Sequence, residues 1–163
     1  MSARILVVDD VRANVRLLEA VLAPHGYEVV AATDGTTALR LVESAKPDIV
    51  LLDVVMPNMD GYTICERLRE REETVVLPVI MITSSIGREK TKAIEAGADD
   101  FITMPFNHEE LLTRVRSLLR IKSYHDTIKA QAAELAQLNG TLEQRVQAQV
   151  AATALADRPA RRH

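Results

Sequence analysis

The stretch DIVLLDVVMPNMDGY, residues 48–62, holds a strand, a loop and the start of a helix, with an acid at the strand's end. Ile49–Leu52 is purely apolar, too short for a buried helix and of the kind found in strands covered on both faces. It stops on Asp53. After Met56-Pro57 and Gly61, the segment Tyr62–Arg69 groups Ile64, Cys65 and Leu68 along one side, as an amphipathic helix does.

The same alternation runs outward in both directions. Ile5–Val8, Val29–Ala32, Val79–Ile82 and, more weakly, Phe101–Thr103 read as further strands. Between them Arg12–Ala23, Thr36–Ser44, Arg88–Ala96 and Glu109–Leu119 read as helices, with Arg88–Ala96 the least amphipathic and expected to be the least well anchored. Gly26, Gly35, Gly61, Gly87 and Gly97 fall at the junctions, where helix ends and turns want them. Five strands alternating with helices predict an α/β domain, doubly wound around a mostly parallel sheet with right-handed crossovers. Such sheets bind ligands beyond the carboxyl ends of their strands.

Acids gather there. Asp9 and Asp10 follow the first strand, Asp53 the third, Thr83 the fourth and Met104-Pro105 the fifth. Three carboxylates packed together repel one another and hold their protons more tightly unless a cation neutralises them. A hard divalent ion such as Mg²⁺ answers that need, binding one or two carboxylates and keeping waters free for a phosphate. The plainer alternative is that acids after strands cap the next helix, a role open to Asp10 ahead of the Arg12 helix.

Composition narrows the function classes. The chain has 163 residues, 47% apolar and 26% charged, with 3% aromatic and no Trp, so the core is built from Val, Leu, Ile and Ala. A net charge of −3 argues against a general nucleic-acid binder. One cysteine, Cys65, excludes a disulfide framework and a cysteine-based zinc site, and His25, His108 and His125 have no metal-ligand spacing. No apolar run approaches the roughly 20 residues of a membrane span, and the start is no signal peptide, so a cytoplasmic location is expected.

ILVVDD, DIVLLDVVMPNMDGY, VIMITS and GADDFITMPF, in this order and spacing, resemble the receiver domain of two-component response regulators. The resemblance covers residues 4–120, and with ANVRLLEA and RVRSLLR it is most similar to receivers ahead of diguanylate cyclases and similar outputs. It implies a flavodoxin-like sheet of strand order 2-1-3-4-5. It also implies Asp53 as phosphoacceptor, served by a sensor histidine kinase, a phosphotransfer protein or a small phosphodonor. Asp10, Asp53 and the Val55 carbonyl would ligate Mg²⁺, with Asp9 acting largely through water. Thr83 would turn its hydroxyl to the phosphoryl group and Phe101 would rotate inward behind it. Pro105 stands where the family commonly has a cis peptide bond. The domain would catalyse only its own phosphoryl transfer and dephosphorylation rather than turn over a separate substrate.

One position departs from the family. Where receivers usually carry lysine before that proline, this chain has Met104, of similar length but without charge or donor. Mg²⁺ binding is expected to survive, with slower phosphorylation or weaker coupling to conformational change. Val55 is apolar beside the water that would hydrolyse the acyl phosphate, which favours a longer-lived phosphoryl group. A degenerate receiver serving mainly as a dimerisation or scaffold module is the alternative. An aspartyl-phosphate phosphatase would want an acid where Val55 stands, and a flavodoxin would want a phosphate-cradling loop where Asp-Asp-Val-Arg follows the first strand.

Beyond Ile121 the charge changes from −5 over residues 1–120 to +2, and the composition to Ala, Gln, Leu and charge. Ile121, Ile128, Leu135 and Leu142 recur every seven residues, with Tyr124, Gln131, Leu138 and Arg145 between them. Residues 1–120 thus read as the receiver, 121–150 as a parallel dimeric coiled coil weakened or kinked at Asn139-Gly140, and 151–163 as a flexible tail. A single helix folded back on the receiver is the alternative. The output is expected to be missing or supplied in trans.

Overall fold

The structure, a computed structural model, describes residues 2–83 and 88–156, with the backbone alone for 88–89 and 155–156. The expected junction at Gly87 and the last residues of the expected tail, 157–163, lie outside these. The strands are β1 (Arg4–Val8), β2 (Glu28–Ala32), β3 (Ile49–Asp53), β4 (Val79–Thr83) and β5 (Asp100–Thr103). They form one parallel sheet in the order β2-β1-β3-β4-β5, as expected. The helices are α1 (Arg12–Leu22), α2 (Gly35–Ala45), α3 (Gly61–Glu70), α4 (Arg88–Glu95) and α5 (His108–Ala156), with a short 3₁₀ turn at Ala23–His25.

Alternation along each strand divides the core in two. Leu6, Val8, Val50, Leu52, Val79 and Met81 face α2, α3 and α4, where they meet Ala38, Val42, Ile64, Cys65, Leu68 and Ala93. Ile5, Val7, Ile49, Leu51, Ile80, Ile82 and Ile102 face α1 and α5, where they meet Val15, Leu18, Leu22, Leu111 and Val115. Because side chains of successive strand residues point to opposite faces, an unbroken apolar run is what a strand buried on both sides requires. Helix α4 buries the small Ala93, with Ala96 buried just past its end, and leaves Ile94 exposed.

Helix starts follow local chemistry. Asp34 caps α2, accepting from the Thr37 amide at 2.7 Å, and Asp60 caps α3, accepting from the Thr63 amide at 2.9 Å. Helix α1 differs: its N-cap is Val11 and no side chain caps it. Asp10 is therefore not a capping residue.

The chain divides into two compact units, meeting at Ser123 and Tyr124. In the second unit α5 continues through Asn139 and Gly140 without interruption and reaches Ala156, into the stretch expected to be tail. No break occurs at Asn139-Gly140 because one glycine costs a helix only about 1 kcal/mol, which a long run of Ala, Gln and Leu tolerates.

Candidate metal and phosphoacceptor site

Parallel pairing of β1 with β3 brings the end of one strand beside the end of the other, with Val8 opposite Leu52. Asp9 and Asp10 leave β1 at this edge and Asp53 ends β3. One carboxylate oxygen from each of the three lies within 4.8 Å of the others. Asp9 is buried, Asp53 half-buried and Asp10 exposed, a gradient from core to solvent.

Hydrogen bonds fix the inner pair. The Val11 amide donates to Asp9 Oδ1 at 2.8 Å, and the Asn14 side chain also bonds Asp9. The Val55 amide donates to Asp53 Oδ1 at 3.4 Å, a long contact. Burial pushes the Asp53 carboxyl up to about 7, reinforced by the negative charges of Asp9 and Asp10 and opposed by the Val55 amide. Burial also raises Asp9, against the Val11 and Asn14 bonds that hold it down.

No lysine or arginine forms an ion pair with these three acids among the described residues. Met104 sits at the end of β5, half-buried, and packs against the core on the α1 and α5 side. Its amide donates to the Thr83 carbonyl at 2.6 Å, and the peptide bond to Pro105 is cis, as expected. Three oxygen donors, two with raised proton affinity and none paired with a cation, fit a hard divalent ion such as Mg²⁺.

The remaining expected residues border this edge. Thr83 is buried at the end of β4, next to β3, whose Asp53 pairs with Ile82. Phe101 is half-buried on β5 and packs against the α2, α3 and α4 side of the core. Val55 is 69% exposed beside Asp53. Gly61 closes the loop back onto β3, its amide donating to the Val54 carbonyl at 3.0 Å. At Gly61 a side chain is excluded by space and not by backbone angle. A Cβ would lie 2.4 Å from the Asp53 carbonyl oxygen.

Sequence reasoning missed three contributors. Asn14 reaches Asp9 from the first turn of α1, and its position five residues past Asp9 was the available signal. Arg69 donates to the carbonyls of Leu77 at 2.6 Å and Gly97 at 2.9 Å, and pairs with Asp99 at 2.8 Å. Asp99 in turn accepts from the Val79 amide at 2.8 Å, so the two side chains pin α3 to the start of β4 and the entry to β5. Asp100, its neighbour, pairs instead with Arg114 on α5.

The response regulator receiver domain family matches residues 5–116. The chain belongs to that family. The receiver is 50% identical over 134 residues to Response regulator PleD of Caulobacter vibrioides, covering 82% of this chain and 30% of that protein. It is 40% identical over 121 residues to the alkaline phosphatase synthesis transcriptional regulatory protein PhoP of Bacillus subtilis, covering 74% of this chain and 50% of PhoP. Among solved structures it is similar to the Vibrio cholerae chemotaxis protein CheY4, with 30% identity, a TM-score of 0.69, and coverage of 72% of this chain and 99% of that one. The chain spans 30% to 60% of the length of the first curated relatives it matches. Among the described residues, no helix of the receiver is long and apolar enough to cross a membrane.

Proposed function

We propose that this receiver takes a phosphoryl group onto Asp53 from a sensor histidine kinase or a phosphotransfer protein, and passes the resulting state along a dimeric α5. The observation that carries the reading is the convergence of Asp9, Asp10 and Asp53 within 4.8 Å at the carboxyl edge of the sheet, with buried Thr83 at the end of the neighbouring strand.

Asp10, Asp53 and the Val55 carbonyl would hold Mg²⁺, with Asp9 contributing through water. When bound, the ion neutralises the clustered carboxylates and the charge on the transferring phosphoryl oxygens. The chain's own groups do the positioning. An Asp53 carboxylate oxygen attacks phosphorus in line, the bond from phosphorus to the donor nitrogen breaks, and the electron pair leaves with the donor imidazole. The Thr83 hydroxyl turns to donate to a phosphoryl oxygen, and Phe101 moves into the space behind it. The lack of a side chain at Gly61 lets α3 begin directly against the Asp53 backbone.

Met104 favours a second reading, a receiver whose switching is weak and whose main role is dimerisation or scaffolding. Its side chain packs on apolar core and brings no charge to the acids.

Incubation with Mg²⁺ and phosphoramidate, read by intact mass, tests the acceptor. One added phosphoryl group in the parent and none in Asp53→Asn is the expected result; an unmodified parent would overturn it.

A further inference from the structure

We infer that two copies of α5 pair along one apolar line whose register shifts after Leu142, following a seven-residue repeat before it and four-residue steps after it. This rests on the reading of α5 as a dimer helix and adds the geometry of the pairing.

Ile128, Leu135, Leu138, Leu142, Val146 and Val150 are all large apolar side chains, each 47% to 63% exposed on the second unit of the chain. Up to Leu142 their spacing is that of a heptad seam. Beyond it the spacing is four residues, twice. Seven residues of an α-helix fall about 20° short of two full turns, so the seam drifts in the left-handed sense as far as Leu142. Four residues overshoot one turn by about 40°, so Val146 and Val150 bring the line back. Taken together the six residues occupy a stripe about 120° wide and about 33 Å long on a straight helix.

Continuing the heptad instead would bring Arg145 into the seam and turn Val146 and Val150 out of it. In two parallel copies each Arg145 would then face its twin across a desolvated contact, which like charges disfavour. The four-residue step removes Arg145 from the contact and puts valine in its place.

A second copy of this chain is the occupant that fits. The residues flanking the heptad part, Ala132, Glu134, Asn139 and Thr141, carry a single charge, so identical helices in the same orientation meet with little repulsion. A helix of this composition gains most of its stability from burying an apolar face, and the face is exposed here along its whole length. Gly140 supports the location of the shift. A Cβ there would meet nothing within 4 Å, so no neighbour demands a glycine. Its low helix propensity falls two residues before Leu142, where the drift of the apolar line reverses. The shift thus sets the rotational phase in which the pair arrives at Val150.

Single cysteines at Leu138, Leu142, Arg145, Val146 and Val150 in the full chain, followed by the rate of interchain disulfide formation in a glutathione buffer, test this. Cys65 is fully buried and its thiol is pushed up to about 11, so it does not compete. Leu138→Cys, Leu142→Cys, Val146→Cys and Val150→Cys are expected to cross-link about tenfold faster than Arg145→Cys, because only facing positions bring the Cα atoms within bridging range. Arg145→Cys matching or exceeding Val146→Cys would overturn the shift and leave the dimer standing. Failure at Leu138 and Leu142 as well would overturn the dimer and the shift with it. Because Arg145→Cys also removes a charge, the dimer constant of Val146→Asn is measured beside it. A loss of about tenfold is expected for a polar group in the seam. An unchanged constant would overturn the shift.

Discussion

Gly61 rests against the backbone of Asp53, so close that a Cβ on it would stand 2.4 Å from the Asp53 carbonyl oxygen. The residue that begins α3 therefore packs directly on the end of the acceptor strand. Gly61→Ala must push the β3–α3 loop outward or displace Asp53, and a destabilisation of about 1–3 kcal/mol is expected from the overpacking. Urea unfolding measures the stability, and the rate of phosphoryl gain on Asp53 should fall in the same variant.

Stability should depend on pH through the acid cluster. The Asp53 carboxyl is raised from 3.8 to about 7 in the folded protein, so without metal the folded state binds more protons than the unfolded state between those values. Stability therefore falls as pH rises through that window. Asp53→Asn should raise the melting temperature of the metal-free protein at about pH 8, and the gain should shrink as pH falls through about 7 toward 4. Thermal melts across pH, with and without a chelator, check this. Mg²⁺ should raise the melting temperature of the parent at about pH 8 and do so far less in Asp53→Asn.

Arg69 and Asp99 predict a different kind of loss. Arg69 is mostly buried and answers carbonyls on two loops as well as the Asp99 carboxylate. Removing it takes the side-chain donor from those carbonyls and the ion-pair partner from Asp99, which keeps the Val79 amide. Arg69→Met should cost about 3 kcal/mol in denaturant unfolding. Mg²⁺ affinity should stay near that of the parent, since none of the three cluster acids bonds to Arg69.

The strands and the site acids were legible because each rests on a local signal: unbroken apolar runs for strands covered twice, and an acid directly after a run. Asp9, Asp10 and Asp53 come together for the reason the pattern implied, that parallel strands end at the same edge. Arg69 and Asp99 were not legible, since an arginine on α3 and an acid before β5 look like ordinary surface charges until the loops fold over them. Gly61 was read as a turn residue, but its need arises from another segment's backbone. Asn139-Gly140 is a strong local turn signal read as a weak point in the helix, yet the helix on both sides outweighs it, and α5 runs on past Val150 to Ala156. The plain reading of Asp10 as a helix cap failed because the N-cap of α1 is Val11 and no side chain caps the helix.

Met104→Lys puts a positive charge at the end of β5, on the same sheet edge as the three carboxylates. The ammonium should lower the proton affinity of Asp53, so the pH dependence of stability above should weaken. Phosphorylation by phosphoramidate should become faster in this variant, as followed by intact mass over time.

The most direct test measures dimer fraction by analytical ultracentrifugation and phosphoryl content by mass in the same Mg²⁺-containing sample, before and after phosphoramidate. One phosphoryl group on the parent together with a changed dimer fraction, both absent in Asp53→Asn, is the expected result. A parent that takes the phosphoryl group with no change in dimer fraction, while Met104→Lys responds, would contradict the relay and leave a receiver-shaped dimeriser.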